Sequence, residues 1–258
     1  MIDEKIFLAL LMTVSIGTAA GYLGTLMLSK RMSLVGGPLG HLTLPGITLA
    51  LIYGFDVSVG AFLILTLAII LIWLLERKTK LPLETLTAIV FSSSVAVAFL
   101  FLPEEEVVQA LIGDISQLSY TTTFLSVLLS VFAFIIIYRV YKKIVFIALS
   151  EDLAKSEGIK VDKYNLIYLL AVALVIGLGV RVVGSLLTAA IVSIPAATSR
   201  NLSNNLKQYA YGGALAGGLA AAIGIFVYQI FSIPAGPSII ISSAGLFAIS
   251  TVFKKTNI

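Results

Sequence analysis

Residues Lys30 to Gly54 read KRMSLVGGPLGHLTLPGITLALIYG. Two cations open the stretch, a mostly apolar run follows, and Asp56 lies just beyond it. About 20 apolar residues is the length of one membrane span. Yet Gly36, Gly37, Pro38, Gly40, Pro45 and Gly46 all fall inside it, and glycine and proline both weaken a helix interior. Broken helical backbone at membrane depth is tolerated where it is buried in protein or lines a cavity. His41, the only histidine of the chain, sits among these breakers. An ionisable group inside a membrane marks a functional site by default; the alternative here is a kinked packing helix with a satisfied histidine.

Composition places the rest of the chain in the same solvent. Of 258 residues, 59% are hydrophobic and 12% charged, with a mean hydropathy of +1.07; a soluble domain carries about 25% charge. The fold class is therefore all-α, a polytopic helical membrane protein in a single domain spanning residues 1–258. Without cysteine there are no disulfides and no thiolate metal sites. The net charge of +4 does not argue for a nucleic-acid partner. Asp3 and Glu4 precede the first apolar run, where a cleavable signal peptide would carry cations.

The apolar runs are Ile6 to Leu28, Ser33 to Gly54, Val57 to Leu75, Leu83 to Leu102, Thr121 to Tyr141, Tyr164 to Val180, Val182 to Ala197, Gln208 to Phe231 and Ser238 to Phe253. That makes nine hydrophobic segments, of which eight or nine are expected to span; the pair around Arg181 reads as two short spans or as one broken element. Residues 107–120, which include Asp114, read as a loop or a partly inserted segment after the acidic run Glu104, Glu105 and Glu106. If the loops after segments one, three, five, seven and nine face the cytoplasm, 15 of the 17 cations lie there, all but Lys5 and Arg181. This positive-inside bias puts the N-terminus outside and the C-terminus inside. Arg181 can snorkel to a head group from a helix end. The small residues of the eighth segment, among them Gly213 and Gly217, predict a close helix–helix approach.

One charged connector differs from the others. Ser150, Glu151, Asp152, Leu153, Ala154, Lys155, Ser156, Glu157 and Gly158 begin with a capping serine and acids and end on a glycine stop. The pattern predicts a short amphipathic helix at the cytoplasmic face within residues 150–163, suited to docking a soluble partner; the alternative is a solvated loop.

Taken in order, several stretches resemble the permease (membrane) subunit of the metal-ion ABC importers of the zinc, manganese and iron type. Arg31 to Ala50 is similar to that family's R-x-S-L-V-G-D-A-x-S-H-x-x-L-P-G signature, and Thr87 to Ser92 to its I-G-x-x-F-S piece, with Ala88 in place of the usual glycine. Ser150 to Gly158 resembles its D-E-x-x-A-x-x-x-G segment. Arg181 to Leu187, Ile194 to Arg200 and Pro234 to Ser238 look like its R-V-V-G-x-L-L, I-P-A-A-T-A-R and P-x-G-P-T motifs. The resemblance covers nearly the whole chain. It implies a type II importer-like permease bundle in a prokaryotic plasma (inner) membrane, working as a homodimer with cytoplasmic ATPase subunits and an extracellular metal-binding protein. Divalent metal would be the substrate, ATP would bind on the partner subunits, and the chain itself would hold no cofactor and be no enzyme. It lacks a G-x-x-x-x-G-K-[ST] phosphate loop.

By the same resemblance, His41 and Gly37 occupy the metal pathway, and Ser150, Glu151, Asp152, Ala154 and Gly158 dock the ATPase. Two positions depart from the family. Gly37 stands where an aspartate is usual, and Gly40 where a serine is. Aspartate and histidine at i,i+4 would share one helix face; one imidazole alone is a poor site for a divalent cation. A permease for a chelated metal or another small solute, or a passive channel, therefore remains the alternative. An intramembrane enzyme is disfavoured, because no H-E-x-x-H motif or facing aspartate pair is present.

Overall fold

The computed structural model describes residues 4–30, 36–101, 111–113 and 118–254. Arg31, Ser33, the acidic run at 104–106, Asp114 and Lys255 lie outside the described residues. Those described are helical and contain no strand. In chain order the helices are α1 (Glu4–Ser29), α2 (Gly36–His41), α3 (Leu44–Tyr53), α4 (Val57–Thr79), α5 (Leu83–Phe101), α6 (Tyr120–Leu149), α7 (Glu151–Ser156), α8 (Val161–Leu202), α9 (Leu206–Phe231) and α10 (Ala235–Val252). Seven of them are long and apolar enough to cross a membrane.

Helix α8 accounts for two crossings. Its 42 residues would make a rod of about 63 Å, twice a bilayer's hydrocarbon thickness. Gly184, however, has φ 76° and ψ 171°, outside the helical region. Beyond it the chain folds back: a Cβ placed on Gly179 would stand 3.3 Å from Thr188 Cγ2 and 3.8 Å from Ile191 Cγ2. On a straight helix, residues 12 positions apart would be separated by about 18 Å. The two apolar runs are thus a tight helical hairpin, and it turns at Gly184 rather than at Arg181. Counting both arms gives eight spans, and the broken pair α2–α3 makes a ninth segment.

Helix α1 is the centre of the bundle. Met12, Ile16, Leu23 and Leu26 are fully buried, and α1 packs against α6, α8 and α9. Its contact with α9 is backbone to backbone. A Cβ on Gly217 would meet Gly17 O at 2.1 Å, and one on Gly21 would meet Gly213 O at 2.0 Å. The small residues of the eighth segment therefore do bring helices close, and the matching glycines lie on α1, where the sequence drew no attention to them. The periphery is apolar: Phe99 and Leu100 on α5 and Phe124 and Leu128 on α6 are exposed, as expected where lipid is the solvent. At one end of the bundle Arg77 pairs with Asp162 at 3.8 Å, Lys30 Nζ donates to Asn165 Oδ1 at 2.8 Å and Lys143 Nζ donates to Tyr164 Oη. Arg181 lies at the opposite end, where its Nη1 donates to Asp56 Oδ2 at 3.0 Å.

The α1–α9 contact predicts a contrast between two glycines of the same chain. Gly217→Ala is expected to lower stability by about 1–3 kcal/mol, the usual penalty of overpacking. Gly245→Ala, which meets nothing within 4 Å, is expected to be neutral or to stabilise by about 0.5–1 kcal/mol. Thermal unfolding of the two purified variants in detergent checks this.

Candidate substrate pathway and docking helix

Most of the breakers between Pro38 and Gly54 have a local cause. Pro38 falls in the first turn of α2, and Pro45 at the first positions of α3, where a missing N–H costs nothing. Between the two helices the chain turns at Leu42–Thr43, and Thr43 Oγ1 donates to Gly40 O at 2.6 Å. Gly46 and Gly60 let α3 and α4 cross in backbone contact, since a Cβ on Gly46 would lie 2.1 Å from Gly60 O. Gly54 closes α3 in the left-handed region at φ 71°.

His41 ends α2 at this break. It is half-buried, and its ring lies 5.7 Å from that of Phe91 on α5. Directly behind α2 is the Gly184 turn of α8: a Cβ on Gly40 would stand 2.5 Å from Ser185 O and 3.3 Å from Thr188 Cβ. Ser185 Oγ is buried with no hydrogen-bond partner among the described residues, while Thr188 Oγ1 is turned back onto Gly184 O. Three sequence motifs far apart in the chain, those of Arg31–Ala50, Thr87–Ser92 and Arg181–Leu187, therefore meet around one histidine. A fourth joins them, because a Cβ on Gly236 would lie 3.0 Å from Val183 Cα.

The position of the missing carboxylate is open. A Cβ on Gly37 would make only an ordinary contact, 4.0 Å from Ala189 Cβ. Among the described residues no group of three or more His, Asp or Glu side chains is arranged to hold a metal ion. At the break the described residues place one imidazole, His41, with the Ser185 carbonyl and the Thr188 side chain against the adjoining Gly40. Ser185 and Thr188 escaped sequence reading because an isolated hydroxyl in a small-residue segment looks like packing.

The segment expected to dock the ATPase forms the short helix α7. Ser150 caps it, its Oγ accepting from Leu153 N at 3.2 Å. Glu151 and Lys155 pair at 2.8 Å across one exposed turn, and Gly158 ends the segment at φ 75°. Ala154 is wholly buried and seats α7 on the bundle, whereas Leu153, which sequence reading passed over, is 51% exposed. The outward face is thus Glu151, Asp152, Leu153 and Lys155. Beneath it, Lys30 lies 5.1 Å over the ring of Tyr168. Burial holds the Lys30 ammonium below the ordinary lysine range, with Glu76 and Glu151 pulling it back up.

The two departures in α2 should behave oppositely. Gly37→Asp is expected to leave the unfolding temperature near that of the parent chain. Gly40→Ser, which puts a side chain against the Ser185 carbonyl, is expected to cost about 1–3 kcal/mol. Parallel unfolding curves measure both.

A family model described as "ABC 3 transport family" matches residues 2–254. The manganese import system permease protein ScaB of Streptococcus gordonii is 27% identical over 246 residues, 94% of this chain and 88% of that protein. The high-affinity zinc uptake system membrane protein ZnuB of Haemophilus influenzae is 28% identical, covering 98% of each chain. Among solved structures, PsaBC from Streptococcus pneumoniae in complex with Fab superposes with a TM-score of 0.83 at 27% identity, over 96% of this chain and 91% of that one. An inward-facing putative metal-chelate type ABC transporter gives a TM-score of 0.79 at 19% identity and shares the fold. The chain therefore belongs to the ABC 3 transport family, as a multi-pass permease subunit of an ATP-binding-cassette transporter rather than an enzyme.

Proposed function

We propose that this chain carries a divalent metal ion, manganese or zinc, into the cytoplasm, in a homodimer with one pathway at its interface. The observation that carries the reading is the end-to-end relation to permeases named for manganese import and for zinc uptake. Two cytoplasmic ATPase subunits would dock on α7, and an extracellular metal-binding protein would deliver cargo at the end marked by Asp56 and Arg181. The cation-rich end, with Lys30, Arg77 and Lys143, faces the cytoplasm, which puts the N-terminus outside. Such a chain works mechanically. ATPase closure pushes on α7, α7 is seated on the bundle through Ala154, and the two halves alternate access around the break between α2 and α3. A homodimer brings a second copy of His41 to the pathway, so two imidazoles would meet a cation that each protomer alone holds weakly.

The second reading, a chelated metal as cargo, draws support from Gly37 in place of a carboxylate and from the absence of a metal cluster among the described residues. Vesicles holding the permease, its ATPase and its binding protein separate the readings. ATP-dependent accumulation of bare manganese or zinc is expected. Accumulation of a chelate alone would favour the second reading, and flux without ATP would make the protein a channel. In the same assay His41→Ala should cut uptake per folded molecule about tenfold or more, since removing even an outer partner of a metal ligand costs about 10–100-fold. Gly37→Asp should bind metal more tightly and release it more slowly, since conduction needs binding weak enough to let go.

The outward face of α7 supplies a separate check. Leu153→Arg is expected to abolish stimulation of the ATPase by the permease while leaving insertion and unfolding temperature unchanged. Undiminished stimulation would reduce α7 to a connector.

A further inference from the structure

Helices α4, α6 and the first arm of α8 enclose a cavity of about 380 Å³ that the transport reading does not use. Its two ends differ in chemistry. Asp56, Ser58, Thr122 and Arg181 line one end, and Leu63, Leu129 and Leu174 line the other. On each helix the two ends are seven residues apart (Asp56 to Leu63, Thr122 to Leu129, Arg181 back to Leu174), or about 10 Å along the axis. The cavity is therefore a groove running parallel to the helices, polar at the top and apolar below. Its depth in a bilayer follows from α4: from Asp56 to Arg77 is 21 residues, about 32 Å, close to the thickness of the hydrocarbon layer. With Arg77 at one interface, the polar end of the groove lies at the head-group level of the other.

The polar end is an ion pair with unspent capacity. Arg181 Nη1 donates to Asp56 Oδ2 at 3.0 Å and to Ser58 Oγ at 3.3 Å. Asp56 Oδ1 caps α4 through the amides of Ser58 and Val59. Among the described residues the guanidinium's other nitrogens have no partner, and a guanidinium engages phosphate oxygens two at a time. The Asp56 side chain is 39% exposed beside it, so an ammonium can reach its carboxylate. The pair is neutral overall: a head group carrying both signs matches it, whereas a head group with net negative charge offers the Asp56 carboxylate no cation.

We propose that this groove is a binding site for a zwitterionic phospholipid of the phosphoethanolamine type. Its phosphate lies on Arg181, its ammonium on Asp56, and one acyl chain fills the strip beside Leu63, Leu129 and Leu174. A non-helical protein segment is a worse occupant, because the apolar strip has nothing to satisfy its backbone at membrane depth.

The test is native mass spectrometry of the purified permease after exchange into micelles doped equally with phosphatidylethanolamine and phosphatidylglycerol. The wild type should retain phosphatidylethanolamine about fivefold over phosphatidylglycerol, the worth of one exposed ion pair, and Asp56→Asn should bring the ratio near parity. Leu125→Trp closes the groove from its exposed rim, where Leu125 is 50% accessible; it should lose the bound lipid while keeping the parent's unfolding temperature and elution volume. Equal retention of both lipids by the wild type, a preference for phosphatidylglycerol, or full retention in Leu125→Trp would overturn the proposal. Loss of the dimer in Leu125→Trp would do so too, by assigning the groove to a second copy of the chain.

Discussion

Backbone meets backbone at Gly184, and the candidate pathway depends on that contact. A Cβ there would stand 2.1 Å from Leu111 O, and one on Gly113 would stand 2.6 Å from Gly184 N. Both residues have positive φ, which L side chains adopt only at a cost. The turn so formed sends the second arm of α8 back beside the first. It presents the Ser185 carbonyl to Gly40 and the Val183 backbone to Gly236. A larger residue at Gly40 would push α2 off the hairpin and move His41 with it. Where the hydrophobic effect cannot drive helices together, packing of this closeness is what holds a bundle.

The same device, used at α1 and α9, fixes the frame in which the pathway sits. Around that rigid pair the cation-rich end is tied by polar contacts, Lys30 to Asn165 and Arg77 to Asp162, while α7 rests on the buried Ala154. Polar ties at the surface can be remade during a transport cycle at modest cost, because exposed ion pairs are worth about 1 kcal/mol or less. Interlocked backbones cannot. This division suits a machine that moves as rigid halves around a fixed site.

Much of this was legible in the sequence, for identifiable reasons. Apolar length fixes the spans, and the disposition of cations orders their ends. The breakers from Gly36 to Gly46 announce that the second segment is no continuous helix, and α2 and α3 are its two pieces. The capping serine and stop glycine place α7. The sequence left the pair around Arg181 open between two short spans and one broken element, because a charge between apolar runs marks a break without saying where the chain turns. In fact that arginine pairs with Asp56, 125 positions earlier in the chain, and the turn is made by a glycine conformation that hydropathy does not register. Long-range pairings of this kind, like the partner that Gly217 finds in Gly17 and the burial of Ala154 against the bundle, leave no local trace.

In the proposed transport reading the cation would meet the His41 imidazole, with Gly37 leaving room where a carboxylate would reach the same face. Pulsed electron paramagnetic resonance of manganese held in the assembled transporter reads the cargo's ligands directly. The account predicts nitrogen couplings from imidazole in the wild type and their loss in a folded His41→Ala variant. Identical spectra from the two proteins, showing oxygen ligands alone, would contradict it.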